Sequence, residues 1–157
     1  MKRITPFLWF ENQAEEAANY YASIFKNSKV GKITRWGDVG PGPKGNVLTI
    51  EFTLDGQDFI GLNGGPEFKF TEAVSFSVDC KNQQEIDEYW EKLSAGGEQG
   101  PCGWLKDKYG LSWQVNPGIL NEMLNDPNPA KANAVMQAMM AMKKIVIADL
   151  QRAYDAA

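Results

Sequence analysis

The chain contains no histidine. Metal triads built on imidazole, Ser–His and Cys–His nucleophilic pairs and histidine general bases are therefore excluded together. Any catalysis falls to carboxylates, lysine, tyrosine, cysteine or bound water. Cysteine is scarce too. With only Cys80 and Cys102 and no export signal at the N-terminus, the expectation is a cytoplasmic chain with reduced thiols. Positive charge is in deficit, 16 Lys and Arg against 20 Asp and Glu, and no basic patch emerges, so nucleic acid and anionic membranes are poor partners. The apolar runs are too short to cross a bilayer, so no membrane span is expected.

What is present is ordinary globular material. Of 157 residues, 43% are hydrophobic and 11% aromatic, enough for one domain or two small modules with a shared core. Residues 4–10 read as a strand, and 15–25 have helical spacing, with Ala17, Ala18, Tyr21 and Ile24 or Phe25 on one side. Residues 29–36 read as a second strand, and the Gly- and Pro-dense stretch 37–46 must be a loop. In 47–54, Leu48, Ile50, Phe52 and Leu54 alternate with Val47, Thr49, Glu51 and Thr53. Asp55-Gly56 is a hairpin turn leading into a strand over 57–63.

After Gly64-Gly65-Pro66 the order starts again. Residues 73–80 read as a strand with Val74, Phe76 and Val78 on one face. Residues 83–94 form an amphipathic helix with Ile86, Tyr89, Trp90 and Leu93 on one side, and 102–106 with 111–116 a hairpin. In the last strand Leu111, Trp113 and Val115 alternate with Ser112, Gln114 and Asn116. The halves read as a degenerate repeat, with Tyr20-Tyr21 over Tyr89-Trp90, Glu16 over Glu85, and 59–65 over 112–118, which sets Asn63 on Asn116. Beyond residue 118 the pattern is helical over 119–124, 130–142 and 145–154. Met136, Met139, Met140 and Met142 are there at a spacing suited to packing on the domain or on a second subunit.

If the apolar strand faces pack under the helices, the opposite faces line a cavity. This phasing selects Thr5, Phe7 and Trp9, then Thr49, Glu51 and Thr53, then Phe59, Gly61 and Asn63 from the first half. From the second half it selects Ser75 and Ser77, Trp104 and Lys106, and Ser112, Gln114 and Asn116. The ligand-binding candidates are Thr5, Phe7, Trp9, Glu51, Asn63, Ser75, Trp104, Lys106, Gln114 and Asn116: aromatic walls with a few fixed polar groups, as a small planar molecule requires. The competing reading leaves several of them facing solvent or a dimer seam. Glu51, the one carboxylate in mid-strand on that side, is the candidate general base; the alternatives are an ion pair with Lys106 or another base, or ordinary exposure. Cys102 has no histidine to activate it and reads as a spectator thiol. Trp104 and Trp113 can equally be core or seam residues, and Asp87, Glu88 and Glu91 read as the solvated side of their helix.

The opening ITPFLWF, the helix EEAANYYASIF, the strand FTEAVSFSVDC and the block CGWLKDKYGLSWQVNP resemble the PhnB-like branch of the vicinal oxygen chelate superfamily (glyoxalase, bleomycin resistance and extradiol dioxygenase proteins). That branch is often labelled 3-demethylubiquinone-9 3-methyltransferase-like. The resemblance implies an α+β fold of two βαβββ modules, residues 1–66 and 67–118, around a shared cavity, then a helical extension over 119–157. It also implies a homodimer. Metal-dependent members take ligands, commonly His, His and Glu, from first and last strands, and those positions fall here on Thr5, Ala73 and Gln114. Asp107 and Gly110 stand for the Asp-x-x-Gly turn before the last of them. Threonine and alanine cannot replace imidazoles, and glutamine is a weaker oxygen donor than a carboxylate, so no metal is expected. No cofactor is called for either, because no glycine-rich strand-to-helix loop is present for a nucleotide. The leading expectation is metal-free binding of a small aromatic or planar molecule. The alternatives are a lyase, isomerase or transferase using Glu51 as base with Gln114 or Asn116 polarising an oxygen, and a dimeric scaffold with no small ligand.

Overall fold

The strict alternation in Val47–Leu54 produces β3, whose Ile50, Phe52 and Leu54 are buried while Thr49, Glu51 and Thr53 are half-exposed. A computed structural model describes residues 3–157. Around β3 the first sheet assembles in the order β1-β4-β3-β2, with β1 at Phe7–Phe10, β2 at Lys29–Arg35 and β4 at Gln57–Asn63. β1 runs parallel to β4, and β2, β3 and β4 are antiparallel neighbours. Between β1 and β2 lies α1, Ala14–Ile24. Its Ala14, Ala17 and Ala18 are small enough to bring the helix close to the sheet, and its Tyr21 ring lies against Phe52, which stacks on Phe59 at 5.3 Å. Phe25, not Ile24, completes the buried side.

The second module repeats the order. β5 (Ser75–Cys80), α2 (Gln83–Ser94), β6 (Glu98–Gln99), β7 (Trp104–Lys106) and β8 (Ser112–Pro117) give a sheet of order β5-β8-β7-β6. α2 starts where two side chains satisfy its first donors. Asn82 Oδ1 accepts from Glu85 N at 2.9 Å, and Glu85 Oε2 reaches back to Lys81 N at 2.8 Å. Ile86, Trp90 and Leu93 then face Leu105, Trp113 and Val115 in one buried layer. The fold is thus α+β, two βαβββ modules followed by a helical extension. The chain forms two compact units, Met1–Phe70 and Thr71–Ala157.

The extension belongs to the second unit. α3 (Gly118–Leu124), α4 (Pro129–Met140) and α5 (Ile147–Ala156) enclose Val135, Ile145 and Leu150, all fully buried. Backbone bonds from Cys102 N to Met142 O and Gly103 N to Lys143 O, both 2.8 Å, lay the segment between α4 and α5 along the start of β7. Gln83 grips the same segment from α2: its Nε2 donates to Ile145 O at 3.0 Å and its Oε1 accepts from Ile147 N at 2.8 Å. Asp87 is on the solvated face, as expected, and there pairs with Lys144 at 2.8 Å; that ammonium holds its carboxyl below the usual value. Met136 and Met140 remain exposed. Among the described residues no helix is long and apolar enough to cross a membrane.

Candidate functional site

The residue that sets the second sheet is Asp107. Its backbone N–H and C=O close the turn with Leu111 and Gly110, and its buried carboxylate accepts from Tyr109 N, Leu111 N and the Trp113 indole. The expected Asp107–Gly110 turn is present, and its function is register. With Trp113 drawn to the helix side, its neighbours in β8 must face the other way. Ser112, Gln114 and Asn116 therefore share the open face with their partners Ser75, Ser77 and Asp79 on β5 and Lys106 and Trp104 on β7. Trp104 is directly opposite Gln114, and Gln114 Nε2 donates to Ser75 Oγ at 2.9 Å. Lys106 forms an ion pair with Glu72. The hydrogen bond from Lys106 lowers the pKa of Glu72, and the same bond raises that of Lys106.

Two hollows open on this face, and Cys102 and Trp104 line both. One, about 720 Å³, is bounded by Ser77, Asp79, Gln114 and Asn116 from the sheet and by Leu120, Glu122 and Met139 from α3 and α4. The other, about 440 Å³, has Pro101, Leu105 and Ser112 in its walls and Glu72, Glu98 and Lys106 at its rim. Both lie in the size range of small-molecule sites. Two buried polar atoms have no hydrogen-bond partner among the described residues, Ser112 Oγ and Asn116 Oδ1. Asn116 fits only because position 103 is glycine. At Gly103 φ is +81°, and a Cβ there would press on Asn116 Oδ1 and on Val115 O.

In the first module the phasing holds for β1 and β3 but is off by one in β4. Phe52 pairs with Phe59 and Ile50 with Gly61, so Phe59, Gly61 and Asn63 lie on the helix side; Asp58, Ile60 and Leu62 take the open face. The cause is that Ile60 and Leu62 are apolar, so alternation by itself puts them under the helix. The repeat alignment slips by the same one residue: Asn63 pairs with Phe10 at the end of β1, the place that Pro117 takes opposite Cys80, so Asn116 matches Leu62 and not Asn63. Asn63 is in fact a helix cap. Its Oδ1 accepts from Ala14 N at 2.9 Å, where Gln13 supplies no cap, and its Nδ2 donates to Val47 O at 3.1 Å. Nothing local in the sequence marks a cap contributed from 49 residues away.

The remaining candidates of that module are dispersed. Thr5 precedes β1, and Phe7 is 58% exposed on the open face. Trp9 shares that face, but its Nε1 donates to Gly65 O at 2.9 Å and its ring meets Phe68 edge-on at 4.9 Å. Any side chain at Gly64 would run into the Trp9 ring, so the Gly64-Gly65 pair is shaped to fit an indole; no helix follows it to receive a phosphate. Glu51 stands half-buried beside a bulge of β2 in a hollow of about 290 Å³ with Lys29, Thr53 and Asp58.

The implied metal fails a test of fit. Thr5 and Ala73 both lie outside strands, Ala73 is exposed, and the Gln114 amide nitrogen already donates to Ser75. Among the described residues no three His, Cys, Asp or Glu side chains group to hold a metal ion. The donors at those three positions do not make a divalent site.

The model of the 3-demethylubiquinone-9 3-methyltransferase family matches residues 2–116. A PhnB protein from Bacillus cereus is 40% identical over 74% of this chain and all of its own, with a TM-score of 0.67. PA1353 from Pseudomonas aeruginosa (19% identity, 74% and 98% coverage, TM-score 0.61) shares the fold. So does the fosfomycin resistance protein FosX from Listeria monocytogenes, whose structure contains Mn(II) and sulfate (17%, 78% and 94%, TM-score 0.55). No curated protein matches the sequence. The duplicated βαβββ order, the matched family model and the B. cereus relative agree: the chain belongs to the PhnB-like 3-demethylubiquinone-9 3-methyltransferase family.

Proposed function

We propose that this protein binds a small planar organic molecule, without a metal, on the open face of its second sheet, and that it does so in the cytoplasm as a homodimer. One observation carries the reading: Trp104 and Gln114, adjacent across β7 and β8, line the same 720 Å³ hollow. An indole supplies a stacking surface of low conformational cost, and an amide fixed by Ser75 supplies a directed hydrogen bond. The Mn(II) of FosX does not transfer, because Thr5, Ala73 and Gln114 offer no set of donors for a divalent ion. The methyl transfer in the family's name also lacks support, since Gly64-Gly65 is occupied by Trp9. What remains is binding: an aromatic wall and a fixed amide.

The test is fluorescence quenching with a library of planar heterocycles, followed by mapping of amide shifts. Quenching that disappears in Trp104→Ala and weakens in Gln114→Ala is the expected result. Ligands that quench equally in both variants would move the site elsewhere. The enzyme alternative places Glu51 as base, with Lys29 and Asp58 beside it in the first module's hollow. Turnover of a carbon acid abolished by Glu51→Gln, with binding intact, would replace the sequestration reading.

A further inference from the structure

Gln114 and Asn116 stand two residues apart on β8, so their amides leave the strand on one face, about 6.8 Å apart at the backbone. Both line the 720 Å³ hollow. We infer that they offer it opposite hydrogen-bonding groups, an oxygen from Gln114 and an N–H donor from Asn116, and that the ligand is a planar heterocycle of the lactam type. Its ring N–H donates to Gln114 Oε1, and its carbonyl accepts from Asn116 Nδ2. The inference rests on the binding reading above and adds the polarity of the contact.

A half-turn of an amide side chain exchanges its oxygen and its nitrogen, so the polarity depends on what holds each one. Ser75 holds Gln114. Its Oγ accepts from Nε2 at 2.9 Å, which commits the nitrogen to β5. Gln114 Oε1 has no partner among the described residues and is not closed off as Ser112 Oγ and Asn116 Oδ1 are, so it is the atom left to the hollow. Gly103 holds Asn116 the other way round. A Cβ at Gly103 would press on Asn116 Oδ1, and in glycine a Cα–H bond takes that place and faces the oxygen. Oδ1 is thereby sealed against the turn between β6 and β7, and Nδ2, open and without a partner among the described residues, is the end left to the hollow. A ring ether satisfies neither amide as donor, and a ring N–H alone satisfies only Gln114. A lactam satisfies both and lays its flat face on Trp104, opposite Gln114. Ser75 and Gly103 are then positioning residues.

The experiment uses the full chain with 2-quinolinone and coumarin, bicycles of one shape in which a ring N–H is exchanged for an oxygen and the carbonyl is kept. Binding is followed by saturation-transfer NMR and by amide shifts. 2-Quinolinone should bind about tenfold more tightly, a difference of about 1.4 kcal/mol, because coumarin sets its ring oxygen against Gln114 Oε1. Gln114→Glu, which keeps an acceptor there, should preserve the preference, and Gln114→Met should reduce it to near unity. Ser75→Ala frees the amide to turn and should shrink the preference too; Ser75→Thr should restore it. The side-chain N–H signals of Asn116 should move with both probes. Equal affinity of the two probes in the unaltered chain, or a preference for coumarin, with shifts still centred on Trp104 and Gln114, overturns the polarity and leaves the binding reading intact. A preference that survives Gln114→Met, or Asn116 side-chain signals that stay still, overturns it as well. Absence of any shift on this face, with these probes and with the heterocycle library, overturns both.

Discussion

The indole of Trp113 donates to Asp107 Oδ2 at 2.9 Å inside the protein, and both residues are nearly inaccessible, at 3% and 2%. The same carboxylate accepts from two backbone N–H groups, Tyr109 at 2.9 Å and Leu111 at 3.1 Å. Asp107→Ala strands three donors, two of them buried, and should destabilise the fold by about 3 kcal/mol. Trp113→Phe keeps most of the ring volume and loses one hydrogen bond, so about 1–2 kcal/mol is expected. Urea denaturation of both variants is the measurement. A smaller loss for Asp107→Ala than for Trp113→Phe would contradict the assignment of Asp107 as the centre of the turn.

Asn63 should behave as a cap and not as a ligand contact. Asn63→Ala removes the acceptor for Ala14 N and the donor to Val47 O, at a cost of about 1–2 kcal/mol. Ligand affinity per folded molecule should be unchanged. Asn63→Asp should restore the cap while losing the bond to Val47, and so fall between the two in thermal melts.

Cys80 and Cys102 should differ sharply in reactivity. Burial, with the nearby negative charges of Glu85 and Asp79, pushes the Cys80 thiol up to about 12. In the unfolded chain the thiol has its ordinary value of about 8.5. The folded state holds the proton more tightly, so stability is unaffected below that ordinary value and declines as pH rises from there toward the folded value. In native protein at pH 8 a thiol reagent should modify at most one cysteine, Cys102, with Cys80 reacting only on unfolding. Two fast-reacting thiols by mass spectrometry would be the contrary result.

Gln83→Ala releases the segment between α4 and α5 from α2 by removing the bonds to Ile145 O and Ile147 N. A loss of about 1–2 kcal/mol is expected. Limited proteolysis should then open the chain near residues 143–147. Deleting residues 118–157 removes the buried Val135, Ile145 and Leu150 and uncovers the second module, so it should destabilise that module itself, beyond any effect on dimerisation.

Added Mn²⁺, Zn²⁺ or chelator should leave the thermal midpoint unchanged, because ligation stabilises a fold only where donors converge. A shift of several degrees with one ion, removed by Gln114→Ala, would restore a metal site at the position that fits poorly here.

The sequence alone determined the elements and most of their faces. Alternation set the bounds of β3 and β4, helical spacing set α2, and the Asp-x-x-Gly turn announced β8. These are local consequences of side-chain period and turn chemistry. For the same reason Ser75, Trp104, Lys106, Gln114 and Asn116 were correctly placed on one face. Tertiary structure decided what depends on neighbours distant in the chain. β1 pairs with β4 so as to turn Asn63 inward, Lys106 pairs with Glu72 from before β5, and Gln83 holds a segment more than sixty residues onward. A strand's period fixes which residues share a face but not which face meets the helix. Only the packing of Phe52, Phe59 and Tyr21 against one another settled that.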